Sequence, residues 1–309
     1  MNAVRRALVA VAALPLLLGA AACGSDGSTD DGGDTVTIVG QRFTEADIMT
    51  QLYKLLLEKD GFKTDIKNLG ARDIYLGPLQ EGDVQVSADY LSSMTEALNR
   101  KANGDQAAPV ASADVDATLA QLTTLGKKYG ITPLKPGEAE RTNAYAVTKD
   151  FAVTNNLKTL SDLGRLGKPI ALAANSGCSE RPDCGKGLRG VYGIRLTKIE
   201  PLGLGSADTV SALTKGDVQL GQVGATDGTL DSSGLVVLKD DKNWQTAENL
   251  VPVVNSLWLK DNPKAKAVLD QLAAVLTTDD LKALNARVDR GGQQANTVAE
   301  DFLKEKGLL

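Results

Sequence analysis

Gly82-Asp83-Val84-Gln85-Val86-Ser87-Ala88-Asp89-Tyr90 is begun a second time at Gly216-Asp217-Val218-Gln219-Leu220, 134 positions later. The contexts match as well, with Leu79-Gln80-Glu81 ahead of the first copy and Leu213-Thr214-Lys215 ahead of the second. Each copy reads as a helix end, a glycine stop and an alternating strand. Solenoid repeats recur at roughly 20–50 residues. This spacing is instead the size of a whole lobe, so the repeat predicts two similar α/β lobes in one chain. A helix-to-strand join of this kind also arises by chance in α/β proteins, and the remaining residues have to decide.

They alternate strand and helix almost throughout. Thr35 to Gly40 is a strand, and Thr44 caps a helix with Ile48, Leu52, Leu55, Leu56 and Leu57 at its apolar positions. Lys63 to Asn68 and Gln85 to Tyr90 read as strands, and Asp73 to Gln80, Ser93 to Lys101 and Asp114 to Tyr129 as helices. A second series opens at Asn143 to Val147, with a short helix capped at Ser161-Asp162, a strand at Pro169 to Ala173 and a helix at Gly187 to Tyr192. It continues through Leu196 to Glu200, Ala207 to Lys215, Val218 to Val223 and Leu235 to Leu238. Leu250 to Trp258 reads as extended, and everything beyond Pro263 as helical, with Thr278-Asp279-Asp280 as a cap. Such alternation predicts parallel or mixed sheets covered on both faces. The expected division is lobe 1 at 35–141 plus 251–309 and lobe 2 at 142–250, with two hinge crossings. Ligands in such folds sit beyond the carboxyl ends of strands and between lobes.

The first residues predict export. Arg5 and Arg6 precede the apolar run Ala7 to Leu18, and Gly19 and three alanines lead into Cys23. That is a signal peptide over 1–22. Cys23 after Ala-Ala-Ala is similar to a bacterial lipoprotein processing site, although Ala20 stands where leucine is usual and leaves ordinary secretion open. Residues 23–34 form a polar tether, with four aspartates and no large apolar side chain from Gly24 to Asp34.

Composition excludes several kinds of chemistry. The chain has 34 Lys and Arg against 39 Asp and Glu and shows no basic nucleic-acid motif, so no nucleic-acid partner is expected. It has no histidine, which removes Ser-His nucleophiles, histidine bases and most catalytic zinc sites. Cys178 and Cys184, six apart, are most simply a disulfide in an exported protein. A metal pair would need further ligands, so no metal and no cofactor are expected. An enzyme would have to use Ser176 or Ser179, or Asp89 with Asp227 as an acid–base pair. No Ser-x-x-Lys lies in the loop to activate such a serine.

A family emerges from an ordered set of short stretches. They are Gly40-Gln41-Arg42-Phe43-Thr44-Glu45-Ala46-Asp47-Ile48, then 82–93, Arg141-Thr142-Asn143-Ala144-Tyr145-Ala146-Val147, Leu160 to Leu163, Arg181 to Gly193, and Ala225-Thr226-Asp227-Gly228 with 236–244. Together the set resembles the osmoprotectant-binding proteins of ABC importers, receptors for glycine betaine, choline and carnitine. The resemblance implies a two-lobed, type II periplasmic-binding-protein fold, α/β in class, with ligand in the interlobe cleft. It also implies a lipid-anchored receptor on the extracytoplasmic face, an osmolyte ligand, permease subunits in the membrane as partners, and a monomer.

In this family aromatic rings surround a quaternary ammonium group that has no N–H to donate. Basic and hydroxyl groups hold any carboxylate. Carried onto this chain, Tyr90 and Tyr145 take two cage positions, and Asn143 and Ser93 the adjacent polar ones. Gln41 and Arg42 fall in the first loop, Arg181 in the basic loop, and Thr226 and Asp227 in the element after the second repeat. The resemblance breaks at two cage positions, where this chain has Gly224 and Glu248 instead of aromatics. At about 0.5–2 kcal/mol per ring, two lost rings weaken a betaine about 5- to 1000-fold. A directly paired Glu248 offsets part of that loss for a cation, and a non-betaine ligand, another polar osmolyte or an aromatic compound, is the alternative. Without the family, Tyr90 and Tyr145 read simply as strand residues, Arg42 and Arg181 as solvated loop charges, Glu248 as a surface residue, and Thr226 and Asp227 as a turn.

Overall fold

In a computed structural model, which describes residues 35–309, Gly82 and Gly216 both end a helix in the left-handed region, at φ 91° and 80°. That conformation suits glycine, which has no Cβ. The leader, the tether and Cys23 lie outside the described residues.

The elements begin with β1 (Val36–Gln41), α1 (Thr44–Lys59), β2 (Thr64–Gly70), α2 (Arg72–Glu81), β3 (Val86–Tyr90), α3 (Leu91–Asn103), α4 (Val115–Lys128) and β4 (Ile131–Pro133). Next come β5 (Asn143–Thr148), α5 (Lys149–Asn155), α6 (Leu160–Arg165), β6 (Ile170–Ala173), α7 (Gly185–Gly190), β7 (Leu196–Glu200), α8 (Ala207–Lys215), β8 (Leu220–Gly224) and β9 (Leu235–Leu238). The last five are β10 (Leu250–Asn255), α9 (Ser256–Asp261), α10 (Lys264–Ala273), α11 (Thr278–Asp289) and α12 (Ala295–Glu305).

They form two mixed five-stranded sheets, ordered β2-β1-β3-β10-β4 and β7-β6-β8-β5-β9. In each sheet the strand after the repeated Gly-Asp-Val-Gln lies between a parallel partner and an antiparallel one, β1 and β10 around β3, and β6 and β5 around β8. The glutamine of the motif explains why it is written twice. Gln85 Oε1 accepts from the Thr37 N–H at 2.7 Å, and its Nε2 donates to the Gly82 carbonyl at 2.6 Å. Gln219 Oε1 accepts from the Ala171 N–H at 3.0 Å, and its Nε2 donates to the Gly216 carbonyl at 3.4 Å. Each glutamine therefore ties a helix stop to the neighbouring strand, while Val84 and Val218 are buried beside it. The fold is two-lobed and α/β.

Helices cover the sheets with apolar faces. Ile48, Met49, Leu52, Leu56 and Leu57 of α1 pack with Val298 and Phe302 of α12 in the first lobe. In the second, Leu160, Leu163, Leu172, Leu188 and Tyr145 share one core with Cys178 and Cys184. Three caps fall one or two residues earlier than the sequence suggested: Phe43 rather than Thr44 precedes α1, without a side-chain cap, and the Thr44 hydroxyl donates to Asp289 Oδ1 instead. Thr159 and Thr277 each accept from the N–H three residues on and are capped in return by Asp162 and Asp280. The extended run from Leu250 stops at Asn255, whose side chain accepts from the Trp258 N–H and starts α9. Strand β4 and helix α5 were not anticipated; β4 is three residues long and too short to show a period.

The two chain crossings run side by side. Glu140 bridges Asn249 in antiparallel fashion, and the Arg141 N–H donates to the Glu248 carbonyl at 2.9 Å. Ala247 and Glu248 already bond to the first lobe, through Ser92 and Ser93 of α3. No described helix is long and apolar enough to cross a membrane.

Candidate binding cleft

Strand β3 ends at Tyr90, and α3 starts on the next residue, so Tyr90 and Ser93 are delivered to the same edge of the first sheet. A polar chamber of about 260 Å³ opens there, lined by Tyr90, Ser93, Arg141, Asn143, Arg181 and Glu248, with Asp183 and Gln245 on its far side. Five residues expected from the sequence, Tyr90, Ser93, Asn143, Arg181 and Glu248, thus share one space although they come from four separate segments.

Each side of this chamber has its own chemistry. On the first-lobe side the Glu248 carboxylate accepts from the Ser93 N–H at 3.2 Å and the Ser93 hydroxyl at 2.7 Å. Burial raises the Glu248 carboxyl above its ordinary value of 4.5; the Ser93 bonds and the Arg72 charge only partly oppose this. The Tyr90 hydroxyl donates to Glu45 Oε1 at 2.6 Å, and burial, then the Glu45 charge, keep that phenol protonated. On the second-lobe side Arg181 forms a two-point pair with Asp183, which also accepts from Asn143 Nδ2 at 3.1 Å and, at its backbone carbonyl, from the Tyr145 hydroxyl at 2.9 Å and Gln245 Nε2 at 3.2 Å. The Cys178–Cys184 disulfide closes the loop that displays Arg181 and Asp183, and both its cysteines are buried.

Tyr145 is 1% exposed, and its ring lies 6.0 Å from that of Trp244 at 23°. It lines a neighbouring cavity of about 280 Å³ with Glu140 and Asp240 rather than the polar chamber. Arg42 is exposed, and Gln41 closes β1; neither lines either chamber of the cleft. Thr226 and Asp227 line a second chamber of about 260 Å³ with Phe43, Glu45, Arg141, Gly224, Asn285 and Asp289. Thr226 is buried, and its carbonyl accepts from Asn285 Nδ2 at 2.9 Å, while Asp227 Oδ1 accepts from the Thr229 N–H at 2.8 Å as in a turn.

Sequence reasoning missed Phe43, Glu45, Arg141, Asp183, Gln245 and Asn285. All but Asn285 fall in or beside the family-like stretches, so proximity to a motif was the available signal. Asn285 sits in α11, 240 residues from its partner Glu45, and nothing local announces it.

The lobes meet where Gly228 approaches α11. A Cβ on Gly228 would stand 2.4 Å from the Ala286 nitrogen and 2.6 Å from its Cα, both backbone atoms that cannot give way. Gly228→Ala is expected to wedge the lobes apart and weaken ligand about tenfold, within the about 1–3 kcal/mol typical of overpacking. Calorimetric titration beside circular dichroism checks this; unchanged affinity with native dichroism would show that this contact plays no part in closure.

A two-lobed α/β body with a polar chamber lined by charges of both signs at the ends of its central strands is a solute-binding protein. Residues 34–305 match the family described as the substrate binding domain of ABC-type glycine betaine transport systems, and the chain belongs to that family. It is 26% identical over 308 residues to the carnitine transport binding protein of Listeria monocytogenes, covering 98% of this chain and 97% of that one. To the glycine betaine-binding protein YehZ of Escherichia coli it is 29% identical over 273 residues, 85% and 88% of the two chains. Among solved structures, a glycine betaine/carnitine/choline ABC transporter protein matches with a TM-score of 0.77 and 26% identity, covering 88% of this chain and 99% of that one.

Proposed function

We propose that this chain is the extracytoplasmic receptor of an osmoprotectant importer, anchored through Cys23, which captures a small zwitterion or cation as its lobes close and passes it to a membrane permease. The observation that carries the reading is the opposed chemistry of the chamber. Its first-lobe wall offers the Tyr90 ring and the Glu248 carboxylate, and its second-lobe wall offers Arg181 and Asn143. A ligand with a cation at one end and a carboxylate at the other satisfies both walls only when they come together, which links binding to closure. Glycine betaine, carnitine and choline are what the relatives' names specify, and they supply the first ligands to try. With Gly224 and Glu248 in place of two rings, the ammonium is held more by charge and less by aromatic faces than in a full cage.

Thermal unfolding with millimolar glycine betaine, carnitine and choline tests this. A ligand at 100 times its Kd stabilises the folded state by about 2.7 kcal/mol. Arg181→Ala is expected to lose most of the shift given by glycine betaine, whose carboxylate it holds, and to keep the shift given by choline, which has none. No shift with any of the three would overturn the assignment of ligand class.

A further inference from the structure

The cleft already contains a cation of its own. Arg141 stands on the first hinge crossing, and its guanidinium carbon lies 4.9 Å from the centre of the Phe43 ring and 5.9 Å from that of Tyr90. The two rings are nearly parallel, 19° apart with centroids separated by 6.3 Å. Arg141 Nε lies 3.7 Å from Glu45 Oε1. Two aromatic faces and a buried carboxylate are what a protein uses to hold an organic cation, and here they hold a side chain.

Among the described residues Arg141 alone lines both the polar chamber and the second chamber, so its side chain stands where the two adjoin. Beyond it the second chamber is lined by Glu45, Asp227 and Asp289 and by Asn285, whose Oδ1 lies buried just behind the surface without a hydrogen-bond partner. Asn285 Nδ2 already donates to Glu45 Oε2 at 2.9 Å, which fixes the amide with its oxygen left over. Each chamber alone is smaller than the roughly 300–1,000 Å³ usual for a ligand pocket. Joined, they fall within that range.

We propose that Arg141 is a resident cation: it occupies the subsite formed by Phe43, Tyr90 and Glu45, and a ligand's cationic group must displace it to bind there. This rests on the solute-receptor reading above and refines it, by assigning the cation's seat and the residue that competes for it. Because Arg141 N–H is bonded to the Glu248 carbonyl on the opposite crossing, displacement of the side chain begins at the hinge itself. A weak cation leaves Arg141 in place, so the arrangement selects ligands whose anionic end adds binding energy at Arg181.

The test uses the purified protein and two probes that lack an anionic end, tetramethylammonium and methylguanidinium, titrated by calorimetry. Arg141→Ala is expected to bind at least one of them ten times or more tightly than the wild type, and Phe43→Leu or Glu45→Gln added to that variant is expected to abolish the gain. A gain larger for methylguanidinium assigns Asn285 Oδ1 as its acceptor, and one larger for tetramethylammonium assigns the aromatic faces; either outcome supports the proposal. Arg141→Lys, which keeps the charge but not the planar group, should lie between wild type and Arg141→Ala and covers the case in which Arg141→Ala fails to fold. Equal probe affinity in wild type, Arg141→Lys and Arg141→Ala overturns the proposal, as does a gain that survives loss of Phe43 and of Glu45. Failure here with betaine binding intact in the wild type would leave the receptor reading standing. Absence of betaine, carnitine and choline binding together with a probe gain in Arg141→Ala would do the reverse.

Discussion

Asp89→Ala is expected to lower the unfolding free energy by about 3–5 kcal/mol, the usual cost of removing one partner of a buried ion pair. For a chain of this size that is on the order of 10 °C in Tm. Asp89 is 1% exposed and accepts from Arg72 Nε at 3.0 Å to both its oxygens and from Arg72 Nη2 at 2.6 Å. It accepts also from the Tyr75 hydroxyl at 2.6 Å and the Tyr90 N–H at 2.7 Å. Its loss strands a guanidinium only 15% exposed and a phenol that is fully buried. The same carboxylate fixes the backbone of Tyr90 at the cleft, so ligand affinity should fall with stability. Urea unfolding measures the first and calorimetric titration the second. Arg72→Met added to Asp89→Ala should recover part of the stability, because the stranded charge is then gone. No recovery, or a loss under about 1 kcal/mol, would mean that the network is better hydrated than its burial indicates.

Glu248→Gln is expected to separate stability from function. A cation on the first-lobe wall loses its carboxylate partner, so affinity should drop about 10- to 100-fold, or about 1.4–2.7 kcal/mol. Folding stability should move the other way at neutral pH. The Glu248 carboxyl is raised in the folded state by burial, so the folded protein disfavours its charge. The carboxyl's favourable contribution is present in full below the ordinary value of 4.5 and is lost as pH rises through the raised folded value. The variant escapes that loss. It should therefore be more stable than wild type at pH 7, by about 0.5–2 kcal/mol, and the advantage should vanish near pH 4. Cation affinity of the wild type should fall in the same window as acid neutralises Glu248, and that of the variant should not. Unfolding midpoints of both proteins across this range decide it, and a variant less stable than wild type at pH 7 would count against a buried, costly carboxylate.

Gly82 and Gly216 announced the repeat because a left-handed helix stop requires almost only glycine, and Gln85 and Gln219 act within a few residues of those stops. Alternating apolar positions identified the strands because burial on one face imposes a period of two. Tyr90, Ser93, Asn143 and Arg181 were found because each lies in a short stretch that resembles a known family, and Glu248 because it stands where that resemblance breaks. Local pattern could not say that Tyr145 would turn its hydroxyl to the Asp183 backbone, or that Gln41 and Arg42 would stay outside both chambers.

The sequence by itself determined the two α/β lobes, the helix stops, the cysteine pair and the absence of histidine chemistry, since each depends on residue types or on interactions a few positions apart. The tertiary structure decided what occupies the cleft. Arg141 meets Phe43 and Tyr90 only because the two hinge crossings run antiparallel, and Asn285 meets Glu45 only because α11 packs against the start of α1. Those contacts join segments tens to hundreds of residues apart. No period or motif fixes a distance across such a gap; the packing of two sheets and their helices does.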